Sequence, residues 1–288
     1  MIISSYEDFK VSIYVWRVKV MFQKIRRRLL NYLMEVFRFF GIGLTTHKNL
    51  ENLKANFSFH RDLELLLNLP SSHAERLILL LRKSRSQFRQ DLFVLSHLQF
   101  KENGYFVEFG ATNGIDLSNS YLLETEFSWR GILVEPAKSW HKSLRKNRPL
   151  AEIEEMCVWS DSNHRLNFNE SDFAELSTIN SFSNVDIHAR RRSIGSKYTV
   201  TSISLNDLLR KYNSPKHIDY LSIDTEGSEF EILNALDFNE FSFGVITVEH
   251  NFSDSRDNLY GLLTHNGYKR VFEEISGVDD WYVRYQKL

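Results

Sequence analysis

Two stretches of this 288-residue chain gather acids and glycines where a strand would hand over to a helix. In the first, Tyr105-Phe-Val-Glu-Phe-Gly-Ala-Thr-Asn-Gly114, an apolar run breaks at Gly110. Such a run suits a strand covered on both faces of a parallel sheet. Gly110 and Gly114 leave the backbone bare, so an anionic or hydroxyl-rich ligand can lie against the N–H groups of the Thr112-Asn113-Gly114 turn. Glu108 stands where the strand ends and faces the same crevice. The second stretch, Asp224-Thr-Glu-Gly-Ser-Glu229, puts three acids in six residues directly after another apolar run. Asp224 there suits a place beside a cationic reacting centre. Alternatively Asp224 and Glu226, with His250, could hold a divalent cation that orients a substrate hydroxyl. The plainer role is capping and helix-dipole compensation by Thr225, Glu226 and Glu229.

Three further strand ends deliver polar groups. Gly131-Ile-Leu-Val-Glu-Pro136 ends in Glu135, a carboxylate placed to accept both hydroxyls of a ribose, with Pro136 stopping the strand. Residues 153–159 read as a third core strand, which would bring Ser160 and Asp161 to the crevice and Asp161 towards an adenine amino group. Residues 243–249 read as the fifth, ending in Glu249 and His250. Neutral imidazole at His250 could take a proton from a hydroxyl as a methyl group arrives; a satisfied structural histidine is the alternative. In an open parallel sheet, ligands collect at this carboxyl edge. The glycines fall short of G-x-G-x-x-G, which argues against a dinucleotide pyrophosphate. A nucleoside whose charged ends are those of an amino acid fits better, and S-adenosylmethionine is such a molecule.

The elements that must position these groups follow an α/β alternation from residue 105 onward. A polar region with hairpin strands covers residues 165–203, a helix capped by Ser204 follows, and the tail folds as two strands about Gly277. Residues 50–69 and 74–98 carry helical patterns broken at Pro70, with Ser71 or Ser72 as a cap. Residues 11–40 mix apolar and basic residues at helical spacing, Lys19, Lys24, Arg26, Arg27, Arg28 and Arg38 among them. They read either as a basic helix on an anionic membrane or partner, or as an ordinary docked helix. We therefore expect a helical extension over residues 1–82 and a main domain over residues 83–288.

Composition narrows the class. With 42% hydrophobic residues the chain can bury one full-sized core, and a formal charge of -1 implies no attraction to nucleic acid. A lone cysteine, Cys157, excludes an intrachain disulfide and suits a reducing, cytoplasmic setting. No apolar run approaches the roughly 18 residues of a membrane span, and the first ten residues lack signal-peptide order. The expectation is a cytoplasmic protein, at most peripheral at a membrane. Asn56, Asn169 and Asn251 begin N-x-S triplets of the kind chance supplies. Arg190-Arg-Arg192 could meet a phosphate or carboxylate, or be a solvated loop. P-loop, nucleophile-elbow and C-x-x-C patterns are absent from the sequence.

Taken together, these blocks resemble the FkbM family of S-adenosylmethionine-dependent methyltransferases. The resemblance spans about residues 86–285 and rests on Ser86-Gln-Phe-Arg-Gln-Asp91, the residue 106–124 region, Trp129-Arg-Gly-Ile-Leu-Val-Glu-Pro136, Asp219-Tyr-Leu-Ser-Ile-Asp-Thr-Glu-Gly-Ser-Glu229 and Glu249-His-Asn251. It implies a class I, Rossmann-like, seven-stranded and mostly parallel sheet with helices on both faces and an antiparallel last strand. It also implies methyl transfer to oxygen, often on sugars or natural-product hydroxyls. Carried over, Glu108, Gly110, Asn113, Gly114 and Glu135 would hold the cofactor and Asp224 would stand beside the sulfonium. A nicotinamide-dependent oxidoreductase on a similar sheet and a non-catalytic, membrane-recruited adaptor are the alternatives.

Overall fold

The computed structural model describes residues 47–183 and 189–285. The basic stretch at residues 11–40 lies outside them. The chain divides into two compact units, Met1–Phe59 and His60–Leu288, and both sheets belong to the second. In chain order the strands are β1 (Tyr105–Phe109), β2 (Arg130–Val134), β3 (Glu152–Glu154), β4 (Cys157–Trp159), β5 (Arg165–Ser171) and β6 (Thr178–Ile179). Then come β7 (Gly195–Ser204), β8 (His217–Ile223), β9 (Ser242–Glu249), β10 (Tyr268–Val271) and β11 (Asp279–Arg284). The helices are α1 (His47–Asn68), α2 (Ala74–Leu80), α3 (Gln90–His97), α4 (Tyr121–Phe127) and α5 (Lys138–Asn147). After them come α6 (Ala189–Arg192), α7 (Leu205–Lys211), α8 (Glu229–Asn234) and α9 (Arg256–His265). Among the described residues, no helix is long and apolar enough to cross a membrane.

The main sheet has seven strands in the order β10-β11-β9-β8-β1-β2-β3. β3, β2, β1, β8 and β9 run parallel, and β11 enters antiparallel between β9 and β10. The expected class I methyltransferase architecture is therefore present. Alternation along the strands fixes the layering. Val107, Phe109, Ile132, Val134, Leu221 and Ile223 enter one core cluster with Leu208 of α7, Ile232 of α8 and Leu259 of α9. Phe106, Leu133 and Val245 face the other way, against Leu77, Phe93, Leu122 and Leu144 of α2 to α5. Trp281 of β11 stacks on Phe93 with ring centroids 4.8 Å apart. Leu65, Leu69 and Leu80 join that second cluster, so the helical segment from residue 65 shares its core.

Three local expectations need correction. Residues 153–159 do not form one strand. Glu154 turns its carboxylate back to accept from the N–H groups of Glu155 and Met156 (3.0 and 3.1 Å), which ends β3 and sends the chain to a second sheet. That sheet has four strands, β4-β7-β5-β6, around Ala137, Cys157, Phe168, Ile179 and Val200. Residues 74–98 likewise split into α2 and α3, because Arg89 takes a left-handed φ of 67° and Ser84 and Ser86 bond to Asp91 instead. Finally, residues 71–73 form a short 3-10 turn with no side-chain cap from either serine. By contrast, the Ser204 hydroxyl does cap α7, accepting from the N–H of Asp207 at 3.1 Å.

Candidate active site

β1 and β8 lie side by side, and their carboxyl ends turn in such close contact that only glycine fits. Gly110 has φ +71°, and a Cβ there would lie 2.2 Å from the carbonyl oxygen of Asp224. The chain then rises at Thr112, whose N–H donates to Glu135 Oε2 (2.8 Å), while the Ala137 N–H donates to Oε1 (2.8 Å). Two backbone donors thus aim the Glu135 carboxylate from the end of β2. Glu108, Gly110, Thr112, Glu135, Asp224, Glu226 and Glu249 all line one cavity of about 410 Å³ at the carboxyl edge of the sheet. That volume is in the range of small-molecule sites.

The remaining sequence candidates lie elsewhere. Asn113 accepts from the N–H groups of Ile115 and Asp116 (both 2.9 Å), so its amide shapes the turn and does not line the cavity. Gly114 is required by packing: a Cβ at its φ of +80° would lie 2.6 Å from Arg148 Cγ and 2.7 Å from Leu144. Ser160 and Asp161 follow β4 of the second sheet, bond to each other at 3.0 Å and do not line the cavity. His250 also points away from it. Its Nδ1 accepts from the Phe252 N–H (3.0 Å), and Nε2 lies 3.7 Å from Asp280, itself paired with Arg256. Left-handed backbone at Asn251 and Phe252 turns the chain so that Asn251, not His250, lines the cavity. Burial lowers the His250 pKa despite Asp280 and favours neutral imidazole.

Beneath the β1 turn, buried charges are densely hydrogen-bonded, with Arg148 Nε left over. Glu108 accepts from Ser118 Oγ (3.0 Å), the Asn119 N–H (2.6 Å) and Ser120 Oγ. Arg148 donates to the Gly114 carbonyl (3.0 Å), Ser118 Oγ (3.2 Å), Ser120 Oγ (3.0 Å) and Glu124 (3.0 Å). These bonds fix the loop from Gly110 to Ser120 from below, and nothing in the sequence pattern singles out Arg148.

The acids of the cavity are crowded. One oxygen each of Asp224, Glu226 and Glu249 lies within 4.8 Å of the others. That spacing suits a divalent cation, but Glu226 already receives the buried guanidinium of Arg192. Asp224 is open to the cavity and enclosed by protein elsewhere. Burial, followed by the Glu229 charge, pushes Asp224 up to about 7, against a hydrogen bond with Glu249. Glu249 is raised well above the usual carboxylate range by burial and by Asp224, Glu226, Glu229 and Asp279. Two acids that share a hydrogen bond carry one proton between them at neutral pH. Burial also raises Glu135 to about 7, although the Ala137 and Thr112 N–H groups oppose it, and Asp279 to about 7 against its bond from Gln90. Glu229 has a structural role, accepting from Thr225 (N–H and Oγ1, both 2.9 Å) and the Gly227 N–H (3.1 Å).

The second sheet supplies the opposite wall: Phe168, residues 174–177, Ile179 and Arg191 line the cavity across from the main sheet. The polar composition of residues 165–203 gave no sign of this. The arginine run was legible, but its division was not. Arg192 is 1% exposed and bonded inside, whereas Arg191 reaches the cavity.

The family described as Methyltransferase FkbM domain matches residues 108–276, more than half of the chain. No curated protein sequence matches the chain. Among solved structures, the chain is similar to a precorrin-6y C5,15-methyltransferase from Geobacter metallireducens, with 14% identity over 68% of this chain and 87% of that one and a TM-score of 0.38. A TehB-like SAM-dependent methyltransferase from Corynebacterium glutamicum shows 9% identity over 74% of this chain and 97% of that one, with a TM-score of 0.33. A human methyltransferase 10 domain containing protein shows 9% identity over 68% and 80% of the two chains, with a TM-score of 0.36.

Proposed function

The chain belongs to the FkbM family of S-adenosylmethionine-dependent methyltransferases, and on that premise we propose that it methylates a hydroxyl oxygen of a small molecule or glycan. The observation that carries the proposal is the convergence of Gly110, Glu135 and Asp224 on one cavity between two sheets. Glu135, aimed by two backbone N–H groups, would accept the ribose hydroxyls through its remaining lone pairs. Asp224, open to the cavity and next to Gly110, would stand beside the sulfonium. The sulfonium is already activated, so the protein's task is to align oxygen, methyl and sulfur and to exclude water.

S-adenosylmethionine bound here would supply the methyl group, its C–S bond breaking with the electron pair left on sulfur as the acceptor oxygen forms the new C–O bond. The hydroxyl proton passes to the Asp224 carboxylate, which shares its hydrogen bond with Glu249. A carboxyl poised near the working pH is well matched to that task. Glu226, paired with Arg192, would hold the loop in place. The catalytic domain in this reading runs over residues 83–288. Arg192 already supplies a positive charge to the acid cluster, so dialysis against EDTA is expected to leave transfer intact. Activity lost on chelation and regained with a divalent cation would assign the cluster to a metal instead.

The test is calorimetric titration with S-adenosylhomocysteine, followed by transfer of labelled methyl from S-adenosylmethionine to a panel of glycans and small hydroxyl compounds. Binding of the homocysteine product with label on acceptor oxygen is the expected result. Binding of NAD in its place would revive the oxidoreductase alternative, and label on nitrogen or carbon would overturn O-methylation.

A further inference from the structure

Resting on the reading above, we infer that Arg192 is a positioning residue that ties the cavity wall at residues 174–183 to the loop carrying Asp224, so that cofactor binding is transmitted to the wall. The side chain leaves α6, is 1% exposed, and reaches three separate pieces of chain. Its Nε donates to the carbonyl of Leu176 at 2.7 Å, in the turn that lines the cavity. One terminal nitrogen meets the carbonyl of Phe182 at 3.5 Å, and the other bonds the Glu226 carboxylate. Asn169 of β5 holds the arginine's own carbonyl at 3.0 Å and Ser183 Oγ at 2.9 Å, so the anchor is itself anchored.

Two other contacts join the same surfaces. Thr178 Oγ1 donates to the carbonyl oxygens of Thr225 (3.2 Å) and Glu226 (3.0 Å). Phe182 packs against Gly227, where a Cβ would lie 3.1 Å from its ring. The loop between them is unusual: Glu226 has a left-handed φ of 60° and takes a further bond from Asn251 Nδ2 at 3.3 Å. Non-glycine residues keep that conformation only when their surroundings over-determine it. Asp224 lies two residues upstream, so whatever fixes Glu226 also fixes where the Asp224 carboxylate can stand. Only the planar, multidentate guanidinium can meet all three partners, and a lysine could not.

A buried ion pair is a weak source of stability, since apolar residues of similar volume replace it at little cost. What the Arg192–Glu226 pair contributes is therefore the geometry it enforces. A ligand that orders the Asp224 loop must then also order residues 174–183, because both ends of the guanidinium are engaged. Coupling of this sort is reciprocal: an acceptor held by the wall would tighten the cofactor site in turn.

Hydrogen–deuterium exchange on the full chain, with and without S-adenosylhomocysteine, tests the inference. In the wild type the ligand is expected to slow exchange about tenfold both at residues 224–228 and at residues 174–183, within the usual span of coupling between sites. In Arg192→Met/Glu226→Met, which removes both charges together, S-adenosylhomocysteine is expected to bind measurably but more weakly than to the wild type, because the Asp224 loop is freed. Protection at residues 108–114 should persist while protection at residues 174–183 is lost. Arg192→Lys is expected to show the same loss while keeping the charge. Unchanged wall protection in either variant would overturn the tie, as would a wild type that binds the ligand without protecting the wall. Failure of the wild type to bind S-adenosylhomocysteine would instead overturn the reading of the site, and the inference with it.

Discussion

The carboxylates of the cavity set both affinity and pH response, and their environments differ enough to be separated by mutation. Removing the Glu135 carboxylate deletes the proposed acceptor for the ribose hydroxyls and leaves the Thr112 and Ala137 N–H groups without their partner. Hydrogen bonds to charged groups are worth about 1.5–3 kcal/mol. Glu135→Ala is therefore expected to weaken S-adenosylhomocysteine binding by about 10- to 100-fold in calorimetry. The acid cluster acts on stability in the opposite sense to an ordinary salt-bridged carboxylate. Glu135 and Asp279, both buried, are raised to about 7 in the folded protein, so between about pH 4 and that value they are protonated when folded and ionised when unfolded. The folded state then binds more protons, and stability falls as pH rises across that window. Above it, the cluster's full unfavourable contribution is present. Burial and its acidic neighbours also raise Glu249 well above the usual carboxylate range, so Glu249→Gln is expected to raise the melting temperature at pH 8 and to change it little at pH 5. A variant that melts lower at pH 8 would contradict this account. Glu135 and Asp224 were legible in the sequence because each closes an apolar run, and Glu108 because it interrupts one next to its end. His250 was misplaced because the direction of a side chain after a strand depends on the backbone turn at Asn251 and Phe252, which composition does not reveal.

At the level of elements, the touching turns after β1 and β8 are the constraint closest to the cavity. Gly110→Ala must either move the Asp224 carbonyl, 2.2 Å from the new methyl, or abandon the left-handed φ of +71°. Strain of about 1–3 kcal/mol attends such conformations, and the displaced turn is the one that aims Thr112 at Glu135. Gly110→Ala is thus expected to lower the melting temperature and to abolish detectable S-adenosylhomocysteine binding. Retained binding would show that the two turns can part. Strands β1, β2, β8 and β9 could be read from apolar runs alone, since strands buried on both faces advertise themselves. The split of residues 152–159 between two sheets could not. It depends on Glu154 folding back on its own following N–H groups, a local bond that leaves the hydrophobic pattern unbroken. The second sheet was legible as hairpins, but its role as a cavity wall arises only when Cys157 and Val158 carry the chain across.

For the molecule as a whole, the two faces of the main sheet are not equally self-sufficient. One is covered by α7, α8 and α9, which lie within the family-matched region. The other draws Leu65, Leu69, Leu77 and Leu80 from the helical segment that precedes it. Leu65 and Leu77 are each 1% exposed, and full burial of a leucine contributes about 1.5–3 kcal/mol. Removing residues 1–82 is accordingly expected to be more destabilising than removing residues 1–59, by several kcal/mol, about the sum for two leucines. Denaturant titration of the two truncations measures the difference, and equal midpoints would show that the leucines are dispensable. The same unequal architecture bears on how a ligand is met. Arg148 sits beneath the Gly110 to Ser120 loop with bonds to Gly114, Ser118, Ser120 and Glu124. One bank of the proposed nucleoside pocket is thus braced before any ligand arrives, which leaves less disorder there for an incoming molecule to quench.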